Sequence, residues 1–494
     1  MSLLPQIKDL HETPAQHASD LKLAPRYLAK VEGWGGAVHS ISYQYQPTTV
    51  DGIREVFDLA RRTGRHVALR GGGNSYGDAS ILQEGVVLDR AKMDRVLVWN
   101  PETGRITLEP GVTIQKLWRT IIADGWWPPV VSGTMYTTAG GCAAMNIHGK
   151  NNYKVGPYGD HIVEFELLLP TGELRRVTRT SDPDLFYGAI SGFGMLGSFT
   201  SITLQMKKVY SGLVSVEALG TANLAEMVEE FEERVDRMDY LVGWVDCVAG
   251  GRALGRGIVH AAHYLAQGVD QRPADTLNLA AQELPTKMLG MMPKSMLHYF
   301  MTPFINNLGV RLINAAKIWS GHLQPRSWVH YQSHGGFAFL LDYVPNWKLA
   351  YGKGGLIQYQ SFIPKQNAVA AFEEMLRVSQ RAGLPSYLGV FKKHREDDFL
   401  LTHALDGYSM AMDFRVTSAN RERVWQMTRK LDQIVLDTGG RFYFAKDATL
   451  TPDVMRRFFG DETLEKFAAL KRRCDPENLL QTDLSRRLFG RERR

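Results

Sequence analysis

Two runs of small residues in the first third of the chain most strongly constrain how it folds. ALRGGGNSYGDAS (68–80) places three consecutive glycines directly after a short apolar strand pattern, and TTAGGCAAMNIHGKNN (137–152) is a second such run. Loops of this kind turn backbone N–H groups toward an anion and let a pyrophosphate approach without Cβ clashes. One such loop alone is often an ordinary glycine turn, but two in one domain can hold both ends of a long dinucleotide.

A third glycine motif, GFGMLG (192–197), matches G-x-G-x-x-G through Gly192, Gly194 and Gly197. A Rossmann fingerprint needs a strand before it and a helix after it, so that the pyrophosphate meets the helix N-terminus. Here a helical pattern precedes the motif and a strand pattern follows it. The sequence therefore argues against a nicotinamide-binding Rossmann domain and favours a tight connection.

Composition narrows the class of protein further. The 494 residues are 44% hydrophobic and 22% charged, which suits two or three folded domains. Three cysteines without C-x-x-C spacing predict neither a disulfide framework nor a thiolate metal site, and no metal is expected. The net charge of +6 is too mild to indicate nucleic acid. Without a signal-peptide pattern or an apolar run of membrane-spanning length, we expect a cytoplasmic protein that can lie peripherally on a membrane.

The order of patterns predicts two units. Helical spacing over 48–64, strand patterns at 85–89, 95–99 and 105–111, and a hairpin over 161–178 indicate one α+β domain up to about residue 210. Strand and helix patterns then alternate to about residue 438. That alternation predicts a second, antiparallel sheet backed by helices.

Taken together, the motifs carry a resemblance to a known family. RGGGNSYGD, EPGVT, the TAGG and NIHGKN run, GPYGDHI and LFYGAISGFGMLGSFTSITL resemble successive flavin-contacting elements of FAD-binding oxidoreductases of the vanillyl-alcohol oxidase and p-cresol methylhydroxylase type. LIQYQSFIP, VFKKH, GGRFYFAKDA and CDPENLLQTDLSRRL are similar to segments of members that oxidise a polyprenyl-phosphate-linked sugar. The resemblance runs from about Gly33 to Leu488 and covers both predicted units.

This resemblance implies a two-lobed α+β fold, a p-cresol-methylhydroxylase-type FAD-binding domain joined to a substrate domain with an antiparallel sheet backed by helices. The predicted boundaries are an N-terminal extension over 1–24, the first part of the FAD-binding domain over 25–210, the substrate domain over 211–438 with a basic Met-rich insertion around 270–330, and a returning C-terminal segment over 439–494.

The cofactor implied by the resemblance is FAD, with its pyrophosphate held by Gly71 to Gly77. Many family members attach the flavin through a histidine in the first glycine loop, but Asn74 stands at that place here. Since Asn offers no such nucleophile, we expect non-covalent FAD. The cofactor-binding residues so predicted are Arg70, Gly71, Gly72, Gly73, Asn74, Ser75, Tyr76, Gly77, Ser132, Gly133, Thr138, Gly140, Gly141, Cys142, Asn146, His148, Gly149, Gly156, Gly197, Ile202 and Tyr443.

For catalysis the resemblance assigns Lys446 in RFYFAKD to the side of the flavin and the sugar. A lysine there would stabilise negative charge on the reduced cofactor, while hydrogen bonds to the substrate hydroxyl orient its C–H group. The predicted catalytic residues are Lys446, His148, Tyr76 and Tyr443, and the predicted substrate-binding residues are Lys150, Gln358, Gln360, Lys392 and Lys446. Each of these polar residues taken alone could equally be a hydrogen-bonded structural group.

One stretch departs from the sugar-oxidising members. Where they carry a cysteine in the strand matching YSMAMDF, this sequence has Ala411, and Ser409 stands in place of an asparagine. Hydride transfer to a flavin needs no thiol, so the chemistry is expected to persist. The pocket wall differs, however, and the same sugar substrate does not follow.

The basic insertion suggests a surface for lipid. No acidic residue lies between Glu283 and Asp342, whereas five cations and five methionines do. They are Lys287, Lys294, Arg311, Lys317 and Arg326, with Met288, Met291, Met292, Met296 and Met301. A Met-rich apolar surface with interspersed cations suits a prenyl chain or an anionic membrane surface, and the alternative is a cap packed on the substrate domain.

The sequence and the resemblance thus predict an FAD-dependent oxidoreductase that oxidises an alcohol by hydride transfer to flavin N5, foremost a sugar hydroxyl and in particular that of a polyprenyl-phosphate-linked sugar. Its alternatives are a sterol-reductase-like enzyme or small-polyol oxidase of the same family and, outside the enzymes, a lipid-surface-binding protein. The electron acceptor stays open between O2, a quinone and a protein, which leaves room for a partner reductase.

Overall fold

The computed structural model describes residues 23–288, 292–322 and 328–490. Residues 1–22 of the predicted N-terminal extension lie outside the described residues. Met291 and Arg326 of the basic insertion also lie outside them. In the described ranges, no helix combines the length and the apolar character needed to cross a bilayer.

The strands are β1 Leu28–Glu32, β2 His39–Tyr45, β3 Val67–Arg70, β4 Val86–Asp89, β5 Val96–Asn100, β6 Arg105–Leu108, β7 Trp126–Trp127, β8 Ile162–Leu168, β9 Leu174–Thr178, β10 Ser198–Gln205, β11 Lys207–Lys208, β12 Leu213–Thr221, β13 Tyr240–Val245, β14 Gly257–Tyr264, β15 Lys287–Met288, β16 Met292–Pro293, β17 Trp328–Ser333, β18 Leu356–Pro364, β19 Gly389–His394, β20 Gly407–Arg415 and β21 Arg441–Phe442. The α-helices are α1 Val50–Arg62, α2 Ile114–Ile121, α3 Ala139–Ala144, α4 Asn152–Val155, α5 Pro183–Ala189, α6 Leu224–Glu232, α7 Pro273–Thr276, α8 Leu279–Gln282, α9 Leu297–Met301, α10 Asn307–His322, α11 His334–Ala338, α12 Ala368–Arg381, α13 Arg421–Asp437, α14 Pro452–Phe459, α15 Asp461–Cys474 and α16 Asp483–Leu488.

The first lobe is built on two larger sheets, and β7 and β11 pair as a further sheet of two strands. One has four strands in the order β1-β2-β4-β3, and the other has five antiparallel strands in the order β5-β6-β10-β8-β9. Helix α1 begins after Thr49, whose hydroxyl accepts a hydrogen bond from Gly52 N at 3.0 Å, and buries Ile53, Val56 and Phe57 in the core. An N-cap hydroxyl and apolar residues at helical spacing explain why this segment forms a helix that packs on the core.

The second lobe is built on an antiparallel sheet of eight strands in the order β17-β12-β14-β13-β19-β20-β18-β21. Helices α12 and α13 pack on each other and on β18. Along each strand of this sheet, residues that face those helices alternate with residues that face away from them. One row of direct partners across four strands consists of Trp244, Val390, Ala411 and Gln360. Because side chains opposite one another in a sheet point to the same face, this row lies on one face of the sheet.

After β21 the chain returns to the first lobe. Val67 N donates to Leu479 O at 2.8 Å, so the C-terminal segment lies beside β3. Arg487 of α16 donates to Asp78 in the first glycine loop at 2.8 and 2.9 Å and to Asp447 at 2.8 Å. The guanidinium therefore fastens the end of the chain to both the glycine loop and the segment that carries Lys446.

The predicted α+β class with an antiparallel second sheet is confirmed, and GFGMLG lies between α5 and β10 as a tight connection. The RFYFAKD segment forms a strand only over its first two residues. Strand β21 ends at Phe442, and Tyr443 O accepts from the N–H groups of Lys446 at 2.9 Å and Asp447 at 3.1 Å. Lys446 therefore lies in a turn rather than in a strand.

Candidate active site

A cavity of about 870 Å³ lies between the two small-residue loops and the open face of the eight-stranded sheet. That volume lies toward the upper end of ligand pockets, roughly 300–1,000 Å³. Its wall includes residues of both loops, of five sheet strands and turns next to them, and of α10. The cavity therefore lies where the two lobes meet, and a long molecule can contact both.

The first glycine loop is packed so closely that side chains would not fit. A Cβ atom at Gly77 would lie 1.7 Å from Asp447 O, and one at Gly71 would lie 2.3 Å from Thr138 Oγ1 of the second loop. These glycines bring the two loops and the Lys446 segment together. Among the described residues, the N–H groups of Gly73, Asn74 and Ser75 have no hydrogen-bond partner within the protein.

These open N–H groups fit a diphosphate. They lie on the wall of the cavity, which the glycines keep free of side chains, and a concave run of backbone N–H groups binds anions. Asn74 directs its own amide elsewhere, because Nδ2 donates to Gly72 O at 3.2 Å and to Tyr136 O at 3.0 Å. The loop thus meets the requirement of FAD for a pyrophosphate cradle, and Asn74 acts inside it as a brace.

The segment after α11 is hydrogen-bonded to the residues just before the second loop. Asp342 accepts from Thr134 Oγ1 at 2.8 Å and from Met135 N at 2.7 Å, and Leu341 N donates to Gly133 O at 3.2 Å. The segment from Leu340 to Lys348 contributes several residues to the cavity wall. Residues that follow the second small-residue loop by 188 positions or more in the chain therefore help to shape the site.

A chain of hydrogen bonds fixes the orientation of His148. Asn152 Oδ1 is an amide oxygen, which only accepts hydrogen bonds. It accepts from Arg395 N, and His394 Nδ1, 3.1 Å away, therefore also donates to it. His394 Nε2 then accepts from Ser409 Oγ at 2.8 Å, and Ser409 Oγ accepts from the Gln360 amide at 3.2 Å. The same amide donates to His148 Nε2 at 3.0 Å.

It follows that His148 carries its proton on Nδ1. That atom is buried without a hydrogen-bond partner among the described residues. Burial and then the neighbouring Lys392 hold the pKa of His148 well below its usual value, so the ring is neutral. His148 therefore offers a neutral N–H donor to a bound molecule.

Lys446 lies against Tyr76 and near a buried carboxyl group. Its ammonium nitrogen is 3.9 Å from the centroid of the Tyr76 ring. Asp413 is fully buried, and its Oδ1 accepts from Gln358 Nε2 at 2.6 Å while Oδ2 has no partner among the described residues. These four residues come from the first glycine loop, β18, β20 and the turn after β21.

Burial shifts the pKa values of both charged groups toward neutrality. Burial raises the pKa of Asp413 to about 7, opposed by Gln358 and Lys446. Burial lowers the pKa of Lys446 to about 7, opposed by Asp413, while Lys392 lowers it further. Lys446 can therefore exchange a proton near neutral pH, as a group that accepts or donates protons in catalysis must.

The two other predicted lysines differ in their surroundings. Lys150 is buried, its Nζ donates to Phe337 O and to Ala338 O, and burial holds its pKa well below its usual value. Lys392 is half-buried on the cavity wall, and burial lowers its pKa to about 8. Lys150 therefore supports the α11 end, whereas Lys392 is available to a ligand.

The structure brings most of the predicted site residues to this one cavity. Its wall contains Gly71, Gly72, Gly73, Asn74, Ser75, Tyr76, Ser132, Gly133, Thr138, Gly141, Cys142, His148, Lys150, Gln358, Gln360, Lys392, Tyr443 and Lys446. The predicted residues that the structure places behind the wall are Arg70, Gly77, Gly140, Asn146, Gly149, Gly156, Gly197 and Ile202.

The residues behind the wall have packing roles. Asn146 Oδ1 accepts from Gly159 N at 2.8 Å, and the position of a Cβ at Gly197 is 2.8 Å from Leu167 Cγ. Arg70 donates to Glu32 O at 3.0 Å and to Ser80 Oγ at 3.1 Å. They shape the loops without contacting the cavity.

Several residues of the site escaped the sequence analysis. His394 and Asp413 lie in the family-like segments VFKKH and YSMAMDF but were not predicted as site residues, and Trp244 and His260 lie in no motif, although Trp244, Ala411 and Gln360 follow the two-residue period of their strands. The two-residue period was the available signal, because it shows which residues of one strand lie on the same face of the sheet.

Comparisons with known proteins agree with this geometry. Residues 42–178 match the family model described as an FAD-binding domain. The chain is 28% identical over 474 residues to decaprenylphosphoryl-β-D-ribose oxidase of Mycolicibacterium smegmatis, covering 94% of this chain and 98% of that protein. It is 26% identical over 196 residues to bovine L-gulonolactone oxidase, covering 40% of this chain and 43% of that protein.

The resemblance drawn from the motifs is thereby confirmed, and so is FAD as the cofactor. The chain is an FAD-dependent oxidoreductase. The first match spans both lobes, whereas the lactone oxidase match covers less than half of either chain. The substrate lobe is therefore compared mainly through the first of these relatives.

Proposed function

We propose that this oxidoreductase oxidises a hydroxyl of a sugar attached to a polyprenyl phosphate. The observation that carries the proposal is the cluster of Lys446, Tyr76, Asp413 and Gln358 beside the open N–H groups of the glycine loop. The similarity to decaprenylphosphoryl-β-D-ribose oxidase, which extends over both lobes, supports the substrate class.

Bound FAD would supply the acceptor for the hydride that leaves the carbon carrying the hydroxyl group. Lys446 Nζ takes up the hydroxyl proton, which its lowered pKa permits at neutral pH. The ammonium group that forms is positively charged and lies where negative charge develops during the reaction. This charge stabilises the transition state. His148 Nδ1 donates a hydrogen bond that orients a bound molecule, and the Gln360 amide, which donates to His148 Nε2 and to Ser409 Oγ, holds the ring in the orientation that allows this.

The cofactor is proposed to bind non-covalently. The pyrophosphate binds to the N–H groups of Gly73 to Ser75, and Asn74 braces the loop through its amide. The residues of the second loop that line the cavity would hold the remainder of the cofactor.

A second part of the proposal concerns an anionic membrane surface. Helix α10 exposes Leu308, Leu312 and Trp319, which are 69%, 59% and 68% exposed and lie on one face of the helix. Tyr299 and Phe300 of α9 are 67% and 58% exposed. A helix with apolar residues on one face, in a stretch free of acids, is suited to an anionic membrane interface.

The experiment that tests the substrate class is anaerobic mixing of the holoenzyme with farnesylphosphoryl pentose, a short soluble analogue. The expected result is bleaching of the flavin absorbance in one turnover, with the free pentose at the same concentration giving a much slower reaction. If the free pentose, or a small polyol, bleaches the flavin as fast as the lipid-linked sugar, the substrate class is wrong and the polyol-oxidase alternative takes its place.

A further inference from the structure

The histidine of the second small-residue loop can have its tautomer selected from one side of the ring only. His148 Nδ1 has no hydrogen-bond partner among the described residues, whereas Nε2 accepts from the Gln360 amide at 3.0 Å. A neutral imidazole carries a single N–H proton, on one nitrogen or the other. Whatever selects the tautomer of His148 must therefore act through Gln360.

The Gln360 side chain cannot make this selection alone. Its amide has a donor end and an acceptor end of nearly the same shape, so it could face His148 with its NH2 group or, after a half-turn, with its oxygen. The first orientation places the imidazole proton on Nδ1, and the second places it on Nε2. The choice depends on the other group that the same amide nitrogen contacts, Ser409 Oγ at 3.2 Å.

The hydroxyl hydrogen of Ser409 is already used by His394. Asn152 Oδ1 faces the backbone N–H of Arg395 at 3.3 Å, which can only donate, and His394 Nδ1 donates to the same oxygen at 3.1 Å. Burial holds the pKa of His394 well below its usual value, so this ring carries no second proton. His394 Nε2 therefore accepts the one hydrogen of Ser409 Oγ, 2.8 Å away.

Ser409 Oγ thus presents a lone pair to Gln360. The NH2 group of the amide satisfies that lone pair, whereas the amide oxygen in its place would set two acceptors against each other between two buried side chains. A hydrogen bond left unmade between buried groups typically disfavours an arrangement about 10- to 100-fold. The Nε2–H tautomer of His148 is suppressed by the same factor, because it requires the turned amide.

This chain of hydrogen bonds begins and ends in the second loop but passes through the other lobe. Asn152 is the last residue of the loop and the first of α4, His394 ends β19, and Ser409 and Gln360 belong to β20 and β18. All of these side chains are buried. The proton of His148 is therefore placed by groups of the substrate lobe, and its position depends on the contact between the two lobes.

We propose that Asn152, His394 and Ser409 are positioning residues that hold the proton of His148 on Nδ1. This inference rests on the proposed function, in which that N–H orients a bound molecule. With the tautomer fixed, His148 presents a donor and no lone pair. It therefore favours a ligand atom that can accept, such as a carbonyl or an ionised oxygen, and disfavours an N–H or O–H group directed at the same place.

Nitrogen-15 NMR of the FAD-loaded protein, labelled at histidine, reads the tautomer directly and without substrate. Protonated and bare ring nitrogens give well-separated signals, and His148→Gln identifies those of this residue. In the wild type we expect the Nδ1–H form, with less than about a tenth of the other. In Ser409→Ala the amide can turn, so the Nε2–H form should rise to a comparable share. His394→Phe, which removes the acceptor of the Ser409 hydroxyl, should have the same effect.

Ser361→Ala is the matched control. It removes another buried hydroxyl of β18, next to Gln360, but this hydroxyl contacts Met375 Sδ at 3.7 Å on the opposite face of the sheet. The tautomer should stay as in the wild type. Flavin reduction by the lipid-linked sugar should slow about twofold in Ser409→Ala, in proportion to the competent tautomer that remains, and should be unchanged in Ser361→Ala.

The inference is overturned if His148 keeps the Nδ1–H form in both Ser409→Ala and His394→Phe, or if the wild type carries the proton on Nε2. Equal mixing in Ser361→Ala would overturn it as well, since the effect would then not pass through this chain of hydrogen bonds. A mixed tautomer with an unchanged rate of flavin reduction would remove the positioning role. A single Nδ1–H tautomer in a holoenzyme that the lipid-linked sugar does not bleach would contradict the proposed oxidation and leave the assignment of the proton standing.

Discussion

Replacing Asp413 by Asn should move the pH dependence of catalysis in a direction that the structure determines. Asp413 is buried beside Gln358, and its negative charge raises the pKa of Lys446 against the effect of burial. Asparagine keeps the hydrogen bond from Gln358 possible but removes the charge. The pKa of Lys446 should therefore fall in Asp413→Asn.

The size of the change follows from the effect of the Asp413 charge on the pKa of Lys446. An opposite charge within about 4–6 Å typically shifts a pKa by 1–3 units, and Asp413 is itself partly protonated near neutral pH because burial raises its pKa to about 7. We therefore expect a decrease of about one unit, equivalent to about 1.4 kcal/mol. Since both groups titrate in the same range, the profile reports the pair.

The assay is the rate of anaerobic flavin reduction as a function of pH. In the wild type the rate should rise with pH through about 7, because Lys446 must lose its proton before it can accept another. In Asp413→Asn this rise should occur about one unit lower in pH. In Lys392→Met it should occur at higher pH, because Lys392 lowers the pKa of Lys446.

A matched control is Asp432→Asn. Asp432 is also buried with a pKa raised to about 7, but it accepts from Tyr359 at 3.0 Å, on the opposite face of β18 from Gln358 and Gln360. Its replacement should leave the profile in place. An unshifted profile in flavin-loaded Asp413→Asn, or an equal shift in Asp432→Asn, would refute the assignment of the titrating group to Lys446.

Two further predictions concern the cofactor and the membrane. Heat or acid denaturation should release all FAD into the supernatant, since Asn74 donates its amide to backbone carbonyls and provides no bonding nucleophile; flavin colour that stays with the precipitated chain would disprove this. The protein should bind anionic vesicles more tightly than neutral ones at low salt, because each cation near such a surface contributes about 1 kcal/mol and salt screens it. Leu312→Glu on α10 should weaken this binding, whereas Val98→Glu, an equally exposed residue of β5 in the first lobe, should not; equal binding to both kinds of vesicle would contradict the membrane proposal.

The sequence predicts the local parts of this fold well. The helix after Thr49, the hairpin of β8 and β9 and the strand-to-glycine transition at Arg70 each follow from spacing, caps and turns within a few residues. Interactions this local act without help from distant segments, so a single sequence shows them.

The residues that line the cavity were harder to predict from the sequence. Gly140 and Gly197 lie within glycine runs yet pack against Pro110 and Leu167 rather than facing the cavity. A sequence motif marks where the backbone needs glycine and does not state whether a ligand or a neighbouring side chain makes that demand.

The second lobe shows that contacts between strands distant in sequence are also hard to predict. The row from Trp244 to Gln360 joins strands more than a hundred residues apart, and its register depends on pairing across the whole sheet. Asp413 and His260 become site residues only through that pairing. Lys317 was noticed as one cation of a basic segment, but its position over Trp244 required the placement of α10.

Lys446 is proposed to accept the hydroxyl proton during the reaction, so its removal should slow flavin reduction. The measurement that tests it most directly is single-turnover flavin reduction by farnesylphosphoryl pentose in Lys446→Ala, with FAD content determined first and the exposed lysine variant Lys365→Ala as control. Because the glycine loops hold the pyrophosphate, Lys446→Ala should keep its FAD and reduce it about a hundredfold or more slowly, the scale seen when one preorganised electrostatic group is lost. A fully flavinated Lys446→Ala protein that is reduced at the wild-type rate would contradict the account.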